Sequence, residues 1–466
     1  MNERYNELVQ DRTEYTDRCE QYAIWTLPSM LVDYNEDTKD VGIQHDYQSL
    51  GARAVTNLAN KLMLALFHPK NPFFRLTISD KEKEELLEQF GTEAELDRLL
   101  ARVETLATGE FNKGNFREKT IEVLKHLIIS GDCLIKFNDD SMVVYNMLSY
   151  VKQISNEGVL EELIIREQRD EEDLFTIVKL EGSKYRVTQQ IADGEETHVR
   201  DYAKDKLPWV SPYWQRVGLE HYGRGLVEEL SGDFVQISNV SESIAKLTVI
   251  VGDVKFLVNP EGNTSVKDYN DAEVGEYLSG KPGDIVSTGI EAQPQLEALI
   301  NLRNDYKRDI GGAFLLNSAV QRNAERVTAT EIRANMRELE ETLGGVYSTL
   351  SVNLQLPFAK RLVSMLSEEY NSLVVTILTG AEALSRFSEL ESWKNLFIDL
   401  SNSQNVPPDV MDRIDPDKYI AVLSAGYGLD PDKVLRTKEE YAALVENRRV
   451  QQQQALEDEA AIKGEV

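Results

Sequence analysis

The chain has little cysteine, little histidine and no long apolar run. Its two cysteines, Cys19 and Cys133, lie far apart, which makes neither a disulfide framework nor a zinc site and suits a reducing compartment. The five histidines, His45, His68, His126, His198 and His221, show no metal-ligand spacing, so no metal site is expected. His126 falls one place from the apolar stripe of a helix and reads as a packing or partly exposed residue. No stretch approaches the roughly 18 apolar residues needed to cross a bilayer. The N-terminal run "MNERYNELVQDRTEY" is polar and has no signal-peptide core. The expectation is a soluble, intracellular protein with no membrane contact. Positive charge is scarce as well: 51 Lys and Arg against 80 Asp and Glu give a net charge of −29. That excludes a protein coating nucleic acid over most of its surface, because phosphate binding needs clustered cations. It leaves room for nucleic acid beside a small basic patch.

What is present is a folded chain of 466 residues, 41% of them hydrophobic, long enough for roughly two to four domains. Residues 3–22 carry helical spacing at Tyr5, Leu8, Arg12 and Tyr15, and Pro28 ends it. In "SLGARAVTNLANKLMLALFHP", Leu50, Ala54, Leu58 and Leu62 define an amphipathic helix with Ser49 as a candidate cap. Residues 81–112 read as a charged helix, and "NFREKTIEVLKHLIISGD" as another that closes near Gly131. From 133 to 210 the pattern changes to β-branched and aromatic runs cut by turn residues, which predicts a small antiparallel sheet or barrel. Helix returns at 224–248 and at 295–316, around an irregular insert rich in Gly, Asp and Asn. Two helices that leave and return around a compact insert make a hairpin. A long helix follows, with Thr328 and Glu331 as a capping box, Ile332, Met336, Leu339 and Leu343 as its stripe, and bends expected at Gly344–Gly345 and Pro357. The fold class is α+β, mainly helical.

Candidate chemistry is sparse. "GEYLSGKP", residues 275–282, fits the G-x-x-x-x-G-K of phosphate-binding loops, but Pro282 stands where a Mg²⁺-binding hydroxyl belongs. A tight Gly/Pro turn is the competing reading. Acidic clusters such as "KEKEELLEQ" read as solvated helix faces. With no nucleophile elbow and no Cys/His pairing, no catalytic residue and no cofactor are expected. Two basic groups remain. Arg322 and Arg326 lie in "FLLNSAVQRNAERVTATEIR", and Arg303 and Lys307 share a face of the preceding helix. They either pair with nearby carboxylates or contact phosphate. Too weak alone, such a group repeated around a ring would hold DNA loosely and non-specifically.

Several blocks carry a resemblance: "DYQSLGARAVTNLANKLMLALFHP" with "FFRLTIS", "HYGRGLVEELSGDF", "FLVNPEG" with "GEYLSGKPGDI", the arginine-bearing stretch, and "LEETLGGVYSTLSVNLQLP". In order from 46 to 357, they resemble the portal, or head-to-tail connector, of short-tailed phages (podoviruses). The resemblance implies a wing over 1–222, β-rich at 133–210, stem helices at 223–248 and 295–316, an α/β clip at 249–294, and a tunnel loop at 317–328. It further implies a second wing part at 329–404 with the long bent helix, and a helical crown and tail over 405–466. On that reading Asn317, Gln321, Arg322, Asn323, Glu325 and Arg326 would face DNA, and Arg303 and Lys307 would face it from the stem.

The implied protein is a dodecameric ring at one capsid vertex of the virion, assembled in the host cytoplasm. Double-stranded DNA would pass through it in packaging and ejection. The implied partners are major capsid and scaffolding proteins, the terminase large subunit, and tail adaptor or tail tube proteins. The protein would do no bond chemistry. The competing reading is a nucleotide-driven DNA translocase using residues 275–281.

Overall fold

A computed structural model describes residues 2–32, 46–67, 72–78, 93–169, 172–191, 194–252, 255–273, 275–288, 293–316, 329–366 and 374–377, with short pieces at 395–396, 398, 441 and 443–451. The chain divides into two compact units. The first takes Met1–Leu62, Glu118–Asn138 and Met142–Arg326; the second takes Met63–Arg117, Asp139–Ser141 and Val327–Val466.

In the first unit the N-terminal helix is two helices, Asn2–Asp11 and Thr13–Trp25, interrupted at Arg12. The Arg12 guanidinium is buried and donates to the carbonyls of Met147 and Tyr150, at 2.5 and 2.6 Å. The expected sheet is a five-stranded antiparallel meander of Tyr150–Ile154, Leu160–Arg169, Glu172–Glu181, Lys184–Ile191 and Thr197–Ala203, in sequence order. It is open, so the barrel alternative is not realised: the five strands pair with their sequence neighbours and leave the first and last as edges among the described residues. Register places Val151, Ile164 and Ile177 in one row, and Tyr5 and Leu8 of the first helix join their core cluster. The adjacent row on the opposite face holds Lys152, Leu163, Val178 and Val187, all buried. Alternation of side chains across the pleat dictates that split. A separate three-stranded sheet sets Leu134–Phe137 between Met142–Tyr145 and Trp209–Val210.

Helix Leu50–Leu66 buries the expected stripe of Leu50, Ala54, Leu58 and Leu62. At its start the Gln48 side chain accepts the Gly51 N–H at 2.9 Å, an acceptor that Ser49 was expected to supply. Helix Phe116–Ile129 closes as foreseen. The His126 carbonyl accepts the N–H groups of Ser130 and Gly131, and Gly131 takes φ +81°. Here the backbones of 131 and 223 nearly touch. A Cβ on Gly223 would lie 2.2 Å from the Gly131 carbonyl oxygen, so only glycine fits.

That contact sits on a buried charge network. The Lys152 ammonium meets both Asp132 carboxylate oxygens at 2.8 and 2.6 Å, with both side chains fully buried. Tyr150 Oη donates to Asp132 Oδ1 at 2.6 Å, the Gly223 N–H to Oδ2 at 3.0 Å, and Ser211 Oγ bridges the pair. Burial pushes the Lys152 ammonium below its usual value, against the raising effect of Asp132. Arg12 and Lys152 both lie over the Tyr222 ring.

The network fixes the segment that enters a helical hairpin. After one turn, Leu226–Glu229, helix Ser231–Gly252 packs against helix Gln293–Ala313. Phe234 near the start of one meets Phe314 just past the end of the other at 6.0 Å, so the pair is antiparallel. At the far end, Lys255–Val258 pairs antiparallel with Ile285–Thr288.

The second unit is built on helices Glu93–Lys113 and Ala329–Leu350, with strand Phe74–Thr77 paired antiparallel to Val374–Ile377. Phe67, Phe73, Phe111 and Phe358 pack ring to ring at 4.8 to 6.0 Å. The long helix runs through Gly344–Gly345. Its interruption is a π-turn, Ser351–Gln355, which leads into helix Leu356–Leu366. Pro357 has no N–H to give and its ring crowds the turn before it, and the wider turn accommodates both effects. The Gln355 amide then donates to the Leu66 carbonyl at 2.5 Å. Thr328 of the expected capping box lies outside the described residues.

Lys152→Met leaves the Asp132 carboxylate buried without its cation and costs about 3–5 kcal/mol of unfolding free energy. Urea titration of the purified variant measures this, and a loss under about 1 kcal/mol contradicts the network's role. Burial and the nearby Lys119 and Lys125 hold His126 at about 4. The unfolded chain therefore takes up that proton before the native state does. The His126 contribution is complete above about pH 6.5 and is lost as pH falls toward 4, by about 3 kcal/mol at most. His126→Gln should flatten stability against pH in that window, and an unchanged slope contradicts the assignment.

Candidate functional site

The residues expected to face DNA from a loop, Asn317, Gln321, Arg322, Asn323, Glu325 and Arg326, lie outside the described residues. The helix before them ends at Ala313 and the described chain reaches Leu316. The stem pair is described: Arg303 is half-buried and Lys307 exposed, one turn apart on helix Gln293–Ala313. Arg308, next in line, is paired with Asp305 and so partly neutralised. The helix itself thus offers two spaced cations, Arg303 and Lys307, one turn apart.

The segment 255–288 shows what "GEYLSGKP" does. A phosphate-binding loop runs from a strand into a helix, so that free N–H groups converge on the phosphate. Here helix Val266–Asp271 comes first and strand Ile285–Thr288 follows, the reverse order. The lysine side chain of Lys281 is exposed, while its N–H donates to Thr264 Oγ1 at 3.2 Å. A Cβ on Gly280 would lie 2.5 Å from that same oxygen, so the glycine is there for close packing. The centre of this turn is Asp284, 5% exposed, whose carboxylate accepts the N–H groups of Asn263 and Thr264 and the Thr264 hydroxyl, at 3.0, 3.2 and 2.9 Å. Neither Asp284 nor Thr264 was singled out in the sequence; a lone aspartate ahead of the β-branched run "IVST" was the available signal.

Around this turn several large apolar side chains stand exposed. Phe256, Leu257, Val286 and Tyr277 are 58%, 62%, 51% and 99% exposed. A two-stranded ribbon with apolar side chains on both faces is marginal alone and marks a contact surface.

No group of three or more His, Cys, Asp or Glu among them could hold a metal, and no helix among them is long and apolar enough to cross a membrane. Burial pushes the Cys19 thiol up to about 12 and that of Cys133 well above its usual value, so neither is an activated nucleophile.

The fold and this surface define a structural protein: a mainly helical α+β chain organised around a hairpin tipped by an apolar ribbon. The family model for "Bacteriophage head to tail connecting protein" matches residues 1–175 and 166–435. The chain belongs to that family. It is 32% identical to the portal protein of Escherichia phage T7 over 479 residues, covering 94% of this chain and 88% of the relative. It is 32% identical to the portal protein of Enterobacteria phage T3, covering 95% and 89%, and 29% identical to that of Enterobacteria phage SP6, covering 86% and 83%. Its role is that of a structural head-to-tail connector, and the translocase reading of residues 275–281 is set aside.

Asp284→Ala removes the acceptor of three donors. It should speed amide exchange at Asn263 and Thr264 at least about tenfold, equivalent to about 1.4 kcal/mol of local opening. Lys281→Ala should leave both rates unchanged. The opposite pattern would return a role to the lysine.

Proposed function

We propose that copies of this chain close into a ring at one capsid vertex and that double-stranded DNA passes through its centre during packaging and ejection. The observation that carries this is the helical hairpin with its apolar ribbon tip, in a chain of net charge −29. Copies set side by side would cover the ribbon, which water otherwise faces at a cost. Heterologous contacts close into a ring when the rotation between copies returns to its start, and twelve copies is the proposed number.

In this reading residues 249–294 are the clip, which meets the terminase large subunit and the tail proteins. Residues 223–248 and 295–316 are the stem, 317–328 the tunnel loop, 1–222 and 329–404 the wing beside capsid and scaffolding proteins, and 405–466 the crown. Arg322 and Arg326, repeated around the ring, form a basic girdle that touches phosphates without reading sequence. Arg303 and Lys307 add a second, weaker girdle from the stem. The surplus of acidic residues keeps a polyanion from sticking elsewhere, since like charges shorten contact. The protein is thereby a virion component, and the motor's ATP hydrolysis belongs to another protein.

Arg322→Glu combined with Arg326→Glu should leave ring assembly intact and lower the yield of DNA-filled heads. Filled-head yield equal to wild type would sink the tunnel-loop role.

A further inference from the structure

Helix Gln293–Ala313 closes with an unusual residue. The Leu316 N–H donates to the Gly311 carbonyl at 2.7 Å and the Leu315 N–H to the Gly312 carbonyl at 3.1 Å. These paired bonds form a Schellman turn, which requires a left-handed residue where Leu315 stands. Leu315 takes φ +56° and is the one described residue other than glycine with positive φ. Glycine adopts that conformation freely; leucine does so against a clash of its Cβ with the next carbonyl.

Two side chains of helix Leu50–Leu66 meet this turn. Asn57 Nδ2 donates to the carbonyls of Phe314 and Leu315, both at 3.0 Å, and Lys61 Nζ donates to the Leu315 carbonyl at 3.0 Å. Lys61 is 5% exposed, a buried ammonium set against the negative end of a helix. Phe314 is fully buried against Phe234, and Leu315 is buried too. The backbone is held at its carbonyls, its side chains and its closing bonds at once, which is what a strained conformation needs to persist. Asn57 and Lys61 lie one turn apart on the helix, so a single face presents both donors.

We infer that Asn57 and Lys61 are positioning residues: they clamp Leu315 in its left-handed conformation and so fix the direction in which the chain leaves the stem helix toward Arg322 and Arg326. The functional half of this inference rests on residues 317–328 touching DNA; the clamp itself does not.

The test is amide exchange at Leu315 and Leu316 in the assembled full-length protein, together with DNA retained per filled particle. Lys61→Met should speed exchange at both amides about tenfold or more and lower DNA retention. Lys61→Arg, which keeps a cation and donors, should restore both, a rescue that loss of packing alone would not produce. Leu315→Gly placed in the Lys61→Met chain should also recover protection, because glycine needs no clamp. Asn57→Ala should shift exchange in the same direction by a smaller factor and serves if Lys61→Met fails to assemble. Unchanged exchange in Lys61→Met, or no recovery from Leu315→Gly, overturns the clamp. Faster exchange with undiminished DNA retention, in particles where the Arg322→Glu and Arg326→Glu pair does lower retention, overturns the positioning role. An arginine pair without effect defeats the tunnel-loop reading instead, and exchange alone then judges the clamp.

Discussion

The Asp132–Lys152 pair is the constraint on which the first unit depends. Removing two charges from water is costly, and their attraction repays it only with good geometry and full hydrogen bonding. Here the carboxylate accepts from an ammonium, a phenol, a hydroxyl and a backbone N–H. The donors come from the first strand of the sheet, from Ser211 and from Gly223. Asp132 itself follows the end of helix Phe116–Ile129. With these partners in place the groups of the pair are hydrogen-bonded within the fold, and removing any one of the segments would leave a buried charge short of a partner. The Gly131–Gly223 contact and the Tyr222 ring beneath two cations add to the same junction. From there the chain enters the hairpin.

Much of this architecture was legible in the sequence, because burial on one face leaves a period. Leu50, Ala54, Leu58 and Leu62 announced their helix, and the β-branched runs after 133 announced a sheet. Turn residues at Gly158 and Gly182, both with positive φ, marked where strands reverse. What was not legible depends on partners far along the chain. Asn57 and Lys61 sit beside an apolar stripe and resemble solvated residues until Leu315, some 250 residues on, supplies the carbonyls. Lys152 within a strand looks like an exposed alternation, yet its row is covered. The glycine pair at 344–345 suggested a bend, but a helix interior tolerates glycine when its neighbours pack, as Leu343 and Tyr347 do. Proline, with a missing donor and a bulky ring, imposed the π-turn instead.

The candidate site divides along similar lines. The motif at 275–281 drew attention because glycine and lysine spacing is simple to match by chance. Its glycine and its Lys281 N–H both answer to Thr264, whose hydroxyl in turn donates to Asp284, and the order of elements around it runs the wrong way for phosphate. The family match carries the structural role, and the hairpin with its exposed ribbon gives that role a physical basis. On the proposed reading, neighbouring copies cover the exposed apolar ribbon in a closed annulus.

An end-on particle-averaged electron micrograph of the purified protein tests that claim most directly. The account predicts closed rings of twelve copies around an open centre. A sample that remains single subunits at every concentration and salt level, with the ribbon still exposed, would contradict it.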